Sequence, residues 1–148
     1  MSIASRLPRP TRSRVIAGSV VLVLVAALIG WAAWPERTGW TAQDERITVR
    51  TGPAGDQPVD LDARLFLPRD RSGPVPAVLL AHGFGGTKNS VRDDAEAIAE
   101  RGYAVLTWTA QGFGRSGGQI HLNSPDYEVR DAAGLLDWLA ARSEIRTD

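Results

Sequence analysis

Cysteine is absent from the 148 residues, which excludes a disulfide scaffold, a cysteine nucleophile and any thiolate-held metal or iron–sulfur cluster. The compartment stays open on this ground, because a domain with a real core needs no disulfide outside the cell. Histidine is scarce: His82 and His121 are the two in the chain, so any imidazole base must be one of them. No metal-ligand spacing, cofactor motif, internal repeat or low-complexity tract stands out. Excess positive charge is missing as well. The formal net charge is +0, from 17 basic and 17 acidic side chains. Four of the basic ones, Arg6, Arg9, Arg12 and Arg14, fall in the first fourteen residues, where there is no acid. The remainder is therefore mildly acidic, which argues against a nucleic-acid partner.

The basic tail, residues 1–14, precedes an uncharged apolar run from Val15 to Trp34. As a helix that run spans about 30 Å, the hydrocarbon thickness of a bilayer. Trp31 and Trp34 stand at its far end, where indoles favour the interface, and Pro35 and Glu36 stop it. Arginines before the span keep the tail in the cytoplasm and send the body out. Residues 15–35 therefore read as a signal anchor, giving a single-pass membrane protein with an extracytoplasmic body. A cleaved signal peptide, which would release a secreted protein, stays open, with Gly30-Trp31-Ala32 a passable cleavage site. So does a buried soluble helix. The 113 residues after position 35 suffice for a modest core, and their composition, within a chain of 43% hydrophobic and 23% charged residues, is that of a globular domain.

Polar residues 36–44 read as a linker to a domain at 45–148. Ile47–Thr51 alternates as a strand, Gly52–Asp56 is turn chemistry, and Val59–Leu67 alternates again with Val59, Leu61, Ala63, Leu65 and Leu67 on one face, so an antiparallel hairpin is expected. Ala77–Ala81 is a continuous apolar run suited to a strand covered on both faces. Ser90–Asp93 has capping-box spacing, and Val91, Ala95, Ile98 and Ala99 mark one helix face. Tyr103–Thr109 is a further buried strand. Ser124-Pro125-Asp126 starts a second helix with Val129, Ala132, Ala133, Leu136 and Ala140 as its apolar stripe. A hairpin followed by strand–helix–strand–helix predicts an α/β fold whose first strands are antiparallel and whose later ones are parallel. A further strand is expected after the second helix, so the ending at Asp148 reads as a truncation.

Two glycine-rich segments could carry chemistry. The first, His82-Gly83-Phe84-Gly85-Gly86-Thr87, follows a buried strand. Its glycines permit a tight bend whose backbone N–H groups could stabilise an oxyanion, each donor being worth about 3–4 kcal/mol. A plain strand-to-helix turn would use the same glycines, and His82 reads as orienting that turn rather than as a base. The second is Gly112-Phe113-Gly114-Arg115-Ser116-Gly117-Gly118. It matches G-x-G-x-x-G, but the following helix starts too late to sit beneath a phosphate. It also matches G-x-S-x-G, but lacks the strand before and helix after that a nucleophile elbow requires. Ser116 is thus a weak candidate nucleophile. His121 and an acid such as Asp126 would be its partners, all on one irregular loop.

Taken together, Pro76–Lys88, Arg101–Leu106, Gly112–Gly118, Ser124–Glu128 and Asp131–Leu139 resemble the N-terminal half of an α/β-hydrolase. Within that fold they are most similar to the Xaa-Pro dipeptidyl-peptidase and cocaine-esterase-like serine hydrolases. The resemblance implies an oxyanion hole in which Phe84 donates a backbone N–H, supported by His82, Gly83, Gly85 and Gly86. It implies an acyl-enzyme route on ester or peptide substrates, without cofactor or metal. The family's D-x-R-G-x-G-x-S becomes Thr109-Ala110-Gln111-Gly112-Phe113-Gly114-Arg115-Ser116, with both the Asp and the first Arg replaced. In the fold, the nucleophile, acid and histidine all follow later strands, and none of them is within these residues. The expectation is an N-terminal portion of an exported or membrane-anchored serine hydrolase, inactive alone. A non-catalytic, membrane-tethered binding module of the same ancestry is the alternative.

Overall fold

The computed structural model describes residues 21–28 and 39–147. The chain divides into two units, Met1–Arg37 and Thr38–Asp148. In the first, residues 21–28 are helical with exposed apolar side chains. No helix among the described residues is long and apolar enough to cross a membrane, and the rest of the Val15–Trp34 run lies outside them.

In the second unit, β1 (Trp40–Thr51) and β2 (Gln57–Pro68) form an antiparallel hairpin in register from Trp40↔Pro68 to Thr51↔Gln57. Residues 40–44, read above as linker, are its first rungs. They are mostly exposed and carry one charge, that of Asp44. Asp44 lies opposite Arg64 and accepts two hydrogen bonds from its guanidinium at 2.7 and 3.0 Å. Trp40 packs edge-on to Phe66, with ring centroids 5.3 Å apart. Such cross-strand pairs pin register.

The third strand, β3 (Ala77–Ala81), passes through a 3₁₀ turn (Lys88–Val91) to helix α1 (Arg92–Ala99), then β4 (Ala104–Trp108) and, after a long loop, α2 (Glu128–Ala140). The sheet order is β1-β2-β4-β3, with β3 and β4 parallel and the other pairs antiparallel. The mixed α/β architecture matches the sequence pattern. β3 is an edge strand, and its residues are half-buried apart from exposed Ala81. Beyond its start, Val75 forms a parallel bridge to Ile145, donating to Glu144 O and accepting from Arg146 N–H, each at 2.9 Å.

Each sheet face buries its own cluster, as strand alternation requires. Leu61, Ala63, Leu65, Ala104 and Leu106 join Leu135 and Leu139 of α2 on one face. Phe66 and Val105 join Ala95 and Ala99 of α1 on the other. The Ala95/Ala99 face of α1 is the one expected, but the Ser90–Asp93 capping box is not formed. The box lies one turn earlier, where the Thr87 side chain accepts from Asn89 N–H and the Thr87 N–H donates to Ser90 Oγ, so it caps the 3₁₀ turn.

The second helix starts at Glu128, Ser124–Tyr127 being a turn that leads into it. Its phase also differs from the expected stripe: Asp131, Leu135 and Leu139 are buried, while Val129 and Leu136 are about half exposed. The expected stripe of Val129, Ala132, Ala133, Leu136 and Ala140 leaves out Asp131. Its true position at i, i+4 with Leu135 puts a carboxyl in the buried row.

Leu106 is fully buried and pairs with both Leu65 and Leu79 across the sheet. Leu106→Ala is expected to cost about 3 kcal/mol through lost transfer energy and a residual cavity, seen as a lower urea midpoint at unchanged slope.

Candidate active site

The bend after β3 is closed by Gly86 N–H donating to Gly83 O at 3.0 Å. Gly85 sits at φ +78°, where a side chain would be strained. Among the described residues the Phe84 N–H makes no hydrogen bond to the protein, and the Phe84 ring is 80% exposed. The His82 Nε2 accepts from Ala110 N–H at 3.0 Å. The proton therefore rests on Nδ1, which faces Gly83 O at 2.6 Å. A ring with both nitrogens held by backbone ties the bend to the segment after β4. Phe113 bridges the two, edge-on to His82 and to Phe84 with centroids 5.8 and 5.4 Å away.

A cavity of about 300 Å³ opens beside this bend. Its lining includes His82, Phe84 and Phe113 together with Ile120, Leu122, Asn123 and Glu128. Leu122 and Asn123 have φ of 56° and 60°. Asn tolerates that region, but for Leu it costs about 1–2 kcal/mol. Glu128 holds the pair from both ends, its carboxylate accepting from His121 N–H at 2.7 Å and Ser124 N–H at 2.9 Å. Charge-assisted bonds to carboxylate are worth roughly 1.5–3 kcal/mol each, enough to outweigh the strain. Burial alone would raise the Glu128 pKa, but the backbone amides of His121, Glu128 and Ser124 outweigh it and hold the carboxyl below its ordinary value. The His121 ring stacks on Tyr127, with centroids 3.5 Å apart. At the other end of the segment, Gly112 (φ +78°) lies so close to Ile120 that a Cβ would sit 2.7 Å from its amide nitrogen.

Ser116 belongs to the scaffold. Its hydroxyl donates to Thr109 O at 2.6 Å and accepts from Asp62 N–H at 2.9 Å, so it fastens the glycine loop to β2. His121 is not among its partners. Thr109, standing where the family pattern has Asp, is buried, and its Oγ1 accepts from Lys88 N–H at 3.0 Å. The acceptor is kept although the charge is lost. Gln111, in place of the Arg, is buried with its Nε2 lacking a partner among the described residues.

Two groups escaped the sequence reading. Lys88 is 7% exposed, and its ammonium donates to Asp62 at 2.7 Å, Asp44 at 2.9 Å and Ala63 O at 3.1 Å. Three donors meet three acceptors, which is the condition for burying an ammonium. No spacing rule links a lysine in a turn to acids twenty-six and forty-four residues earlier. The second is Asp131, whose two carboxyl oxygens are buried without a hydrogen-bonding partner among the described residues. Burial, with a smaller contribution from the Glu128 charge, pushes its pKa up to about 7. Its recurrence with Leu135 and Leu139 was the available signal.

Residues 55–147 match the X-Pro dipeptidyl-peptidase (S15) family. The chain belongs to that family. An uncharacterized Pseudomonas aeruginosa protein, PA2218, is 27% identical over 93% of this chain and 43% of its own length. Its crystal structure superposes with TM-score 0.61 at 28% identity, covering 76% of this chain and 34% of that one. A thermostable monoacylglycerol lipase of a Bacillus species is 38% identical over 49% of this chain and 25% of its own length. The structure of a bacterial heroin esterase superposes with TM-score 0.52 at 25% identity, covering 82% of this chain and 36% of that one. The chain thus spans less than half the length of these relatives, and it has the α/β-hydrolase fold.

Two outcomes follow from the charged groups of this S15-family segment. Lys88→Ala leaves the Asp62 carboxylate without its ammonium partner, while Asp44 keeps Arg64, and is expected to cost about 3 kcal/mol, read as a lowered urea midpoint. An unfolded Asp titrates near 4, so folding binds an extra proton at Asp131 between about pH 4 and pH 7. The stability linked to it is full below about pH 4 and falls as pH rises through about 7. Asp131→Asn should flatten that decline, giving a higher melting temperature than wild type at pH 8 and a smaller difference at pH 5.

Proposed function

We propose that this chain is the N-terminal portion of a serine hydrolase that cleaves ester or peptide bonds through an acyl-enzyme. The observation that carries the reading is the bend after β3. Among the described residues, the Phe84 N–H is unbonded beside a cavity whose lining includes no serine, threonine or lysine. A donor in this position suits the oxygen that becomes negative when a carbonyl is attacked. The attacking hydroxyl, with its histidine and acid, would come from later polypeptide, as would the second oxyanion donor. Two further features support this. The apolar edge strand β3 already has residues 144–146 running parallel beside its start. The serine within these residues that fits a G-x-S-x-G pattern has its hydroxyl committed to two backbone groups.

The catalytic sequence we propose follows from these positions. The serine attacks the carbonyl while a histidine takes its proton, and the Phe84 amide and its partner hold the oxyanion. The leaving group departs with that proton, and water then cleaves the acyl-enzyme. We place the body on the extracytoplasmic side, anchored through Val15–Trp34, on the strength of the flanking arginines alone.

A fluorophosphonate probe should leave the isolated 148-residue chain unlabelled and label the full-length parent at a serine beyond Asp148. In the parent, Phe84→Pro, which removes the N–H, should lower kcat by about 100-fold or more with substrate binding less affected. Labelling of the isolated chain that disappears in Ser116→Ala would overturn the reading. A reading frame ending at Asp148, with a cooperatively folding product, would favour the binding module.

A further inference from the structure

The segment Ile120–Asn123 is an unusual wall for a cavity. It holds two consecutive non-glycine residues in the left-handed region, Leu122 and Asn123, and Leu122 is 71% exposed. A leucine that is neither buried nor relaxed gains nothing for the fold in that conformation. Strain of this kind persists where surrounding groups over-determine it, and it clusters at ligand sites. Here the determinants are explicit. The Glu128 carboxylate bonds the amides that bracket the strained pair, those of His121 and Ser124. The His121 ring is stacked on Tyr127, and Ile120 is pressed against Gly112. The result is that Ile120 and Leu122 face the same cavity as Phe84 and Phe113.

We infer that Glu128 is a positioning residue for substrate selection: by pinning Ile120–Asn123 as one wall of the cavity beside Phe84, it fits that cavity to a short apolar group attached to the scissile carbonyl. The inference rests on the hydrolase reading above and deepens it. At about 300 Å³ the space is at the small end for ligand pockets, so it suits a short alkyl chain or one ring. Glu128 itself touches no reacting atom in this assignment; it acts through the backbone it holds.

The test uses the full-length parent with two series of p-nitrophenyl and alkyl esters, one lengthened on the acyl side and one on the alcohol side. Glu128→Gln keeps the shape and removes the charge that two amides share. The expected result is a drop of about tenfold in the hexyl-to-methyl or hexanoate-to-acetate ratio of kcat/KM, carried mainly by KM. Faster hydrogen exchange at the His121 and Ser124 amides should accompany it. A ratio unchanged in both series, or equal losses on every ester, overturns the inference. Should Glu128→Gln fail to fold, Leu122→Ala, which leaves the clamp intact, decides: the same fall in ratio supports the inference and an unchanged ratio overturns it. The two readings fail separately. A wild-type parent that no fluorophosphonate labels overturns the hydrolase assignment and this one with it, whereas a labelled parent with unaltered selectivity in the variants overturns this one alone.

Discussion

The buried ammonium of Lys88 holds together what would otherwise be separate pieces. Its side chain reaches Asp44 on β1 and both Asp62 and the Ala63 carbonyl on β2, while its own N–H is received by Thr109 at the end of β4. The turn that follows the Phe84 bend is thereby fixed to three strands at once. Glycines permit a bend but do not choose one conformation of it. The choice comes from the charged anchor on one side and from His82, bonded to Ala110, on the other. The arrangement also constrains the acids. Arg64 first, and Lys88 second, hold the Asp44 carboxyl far below the ordinary carboxylate range. Acid therefore removes stability by protonating the partner of the same lysine.

The fold was largely legible because the sheet is built on hydrophobic alternation, which sequence displays directly. Leu61, Ala63, Leu65 and Leu67 were on the expected face, and Ala77–Ala81 formed the expected strand. The failures share one cause. Trp40–Asp44 pairs with β2 although it is mostly exposed, and the buried row of α2 includes a carboxyl. Asp44, itself exposed, is held there by Arg64 and Lys88; Asp131 does break the rule that charge marks solvent, and its burial favours the protonated form. Local pattern cannot register a cost that is offset by a distant residue or by a change of protonation state.

The site was legible only where it consists of backbone. A glycine-rich bend after an apolar run is a sequence feature, and the structure places the Phe84 amide there without a protein acceptor among the described residues. The rest of the cavity lining was not legible. Ile120–Asn123 has no glycine to announce its left-handed residues, and the carboxylate that stabilises them is supplied from the following helix. Ser116 shows the converse, a motif that reads as chemistry and is carpentry. Its hydroxyl joins Thr109, the first residue of the loop pattern, to Asp62 on β2.

Substitution within that pattern clarifies what each position does. Replacing the family's Asp by Thr109 removes a charge, yet the hydroxyl still accepts the Lys88 amide. In this chain a neutral acceptor serves at that position. Replacing the Arg by Gln111 removes a cation from a residue that is 1% exposed, where an unpaired guanidinium would carry a desolvation cost of several kcal/mol. Both residues are neutral here. A neutral pair in place of a charged one keeps the loop packed against the sheet, and it leaves Lys88, with its three acceptors, as the buried cation that carries the anchoring.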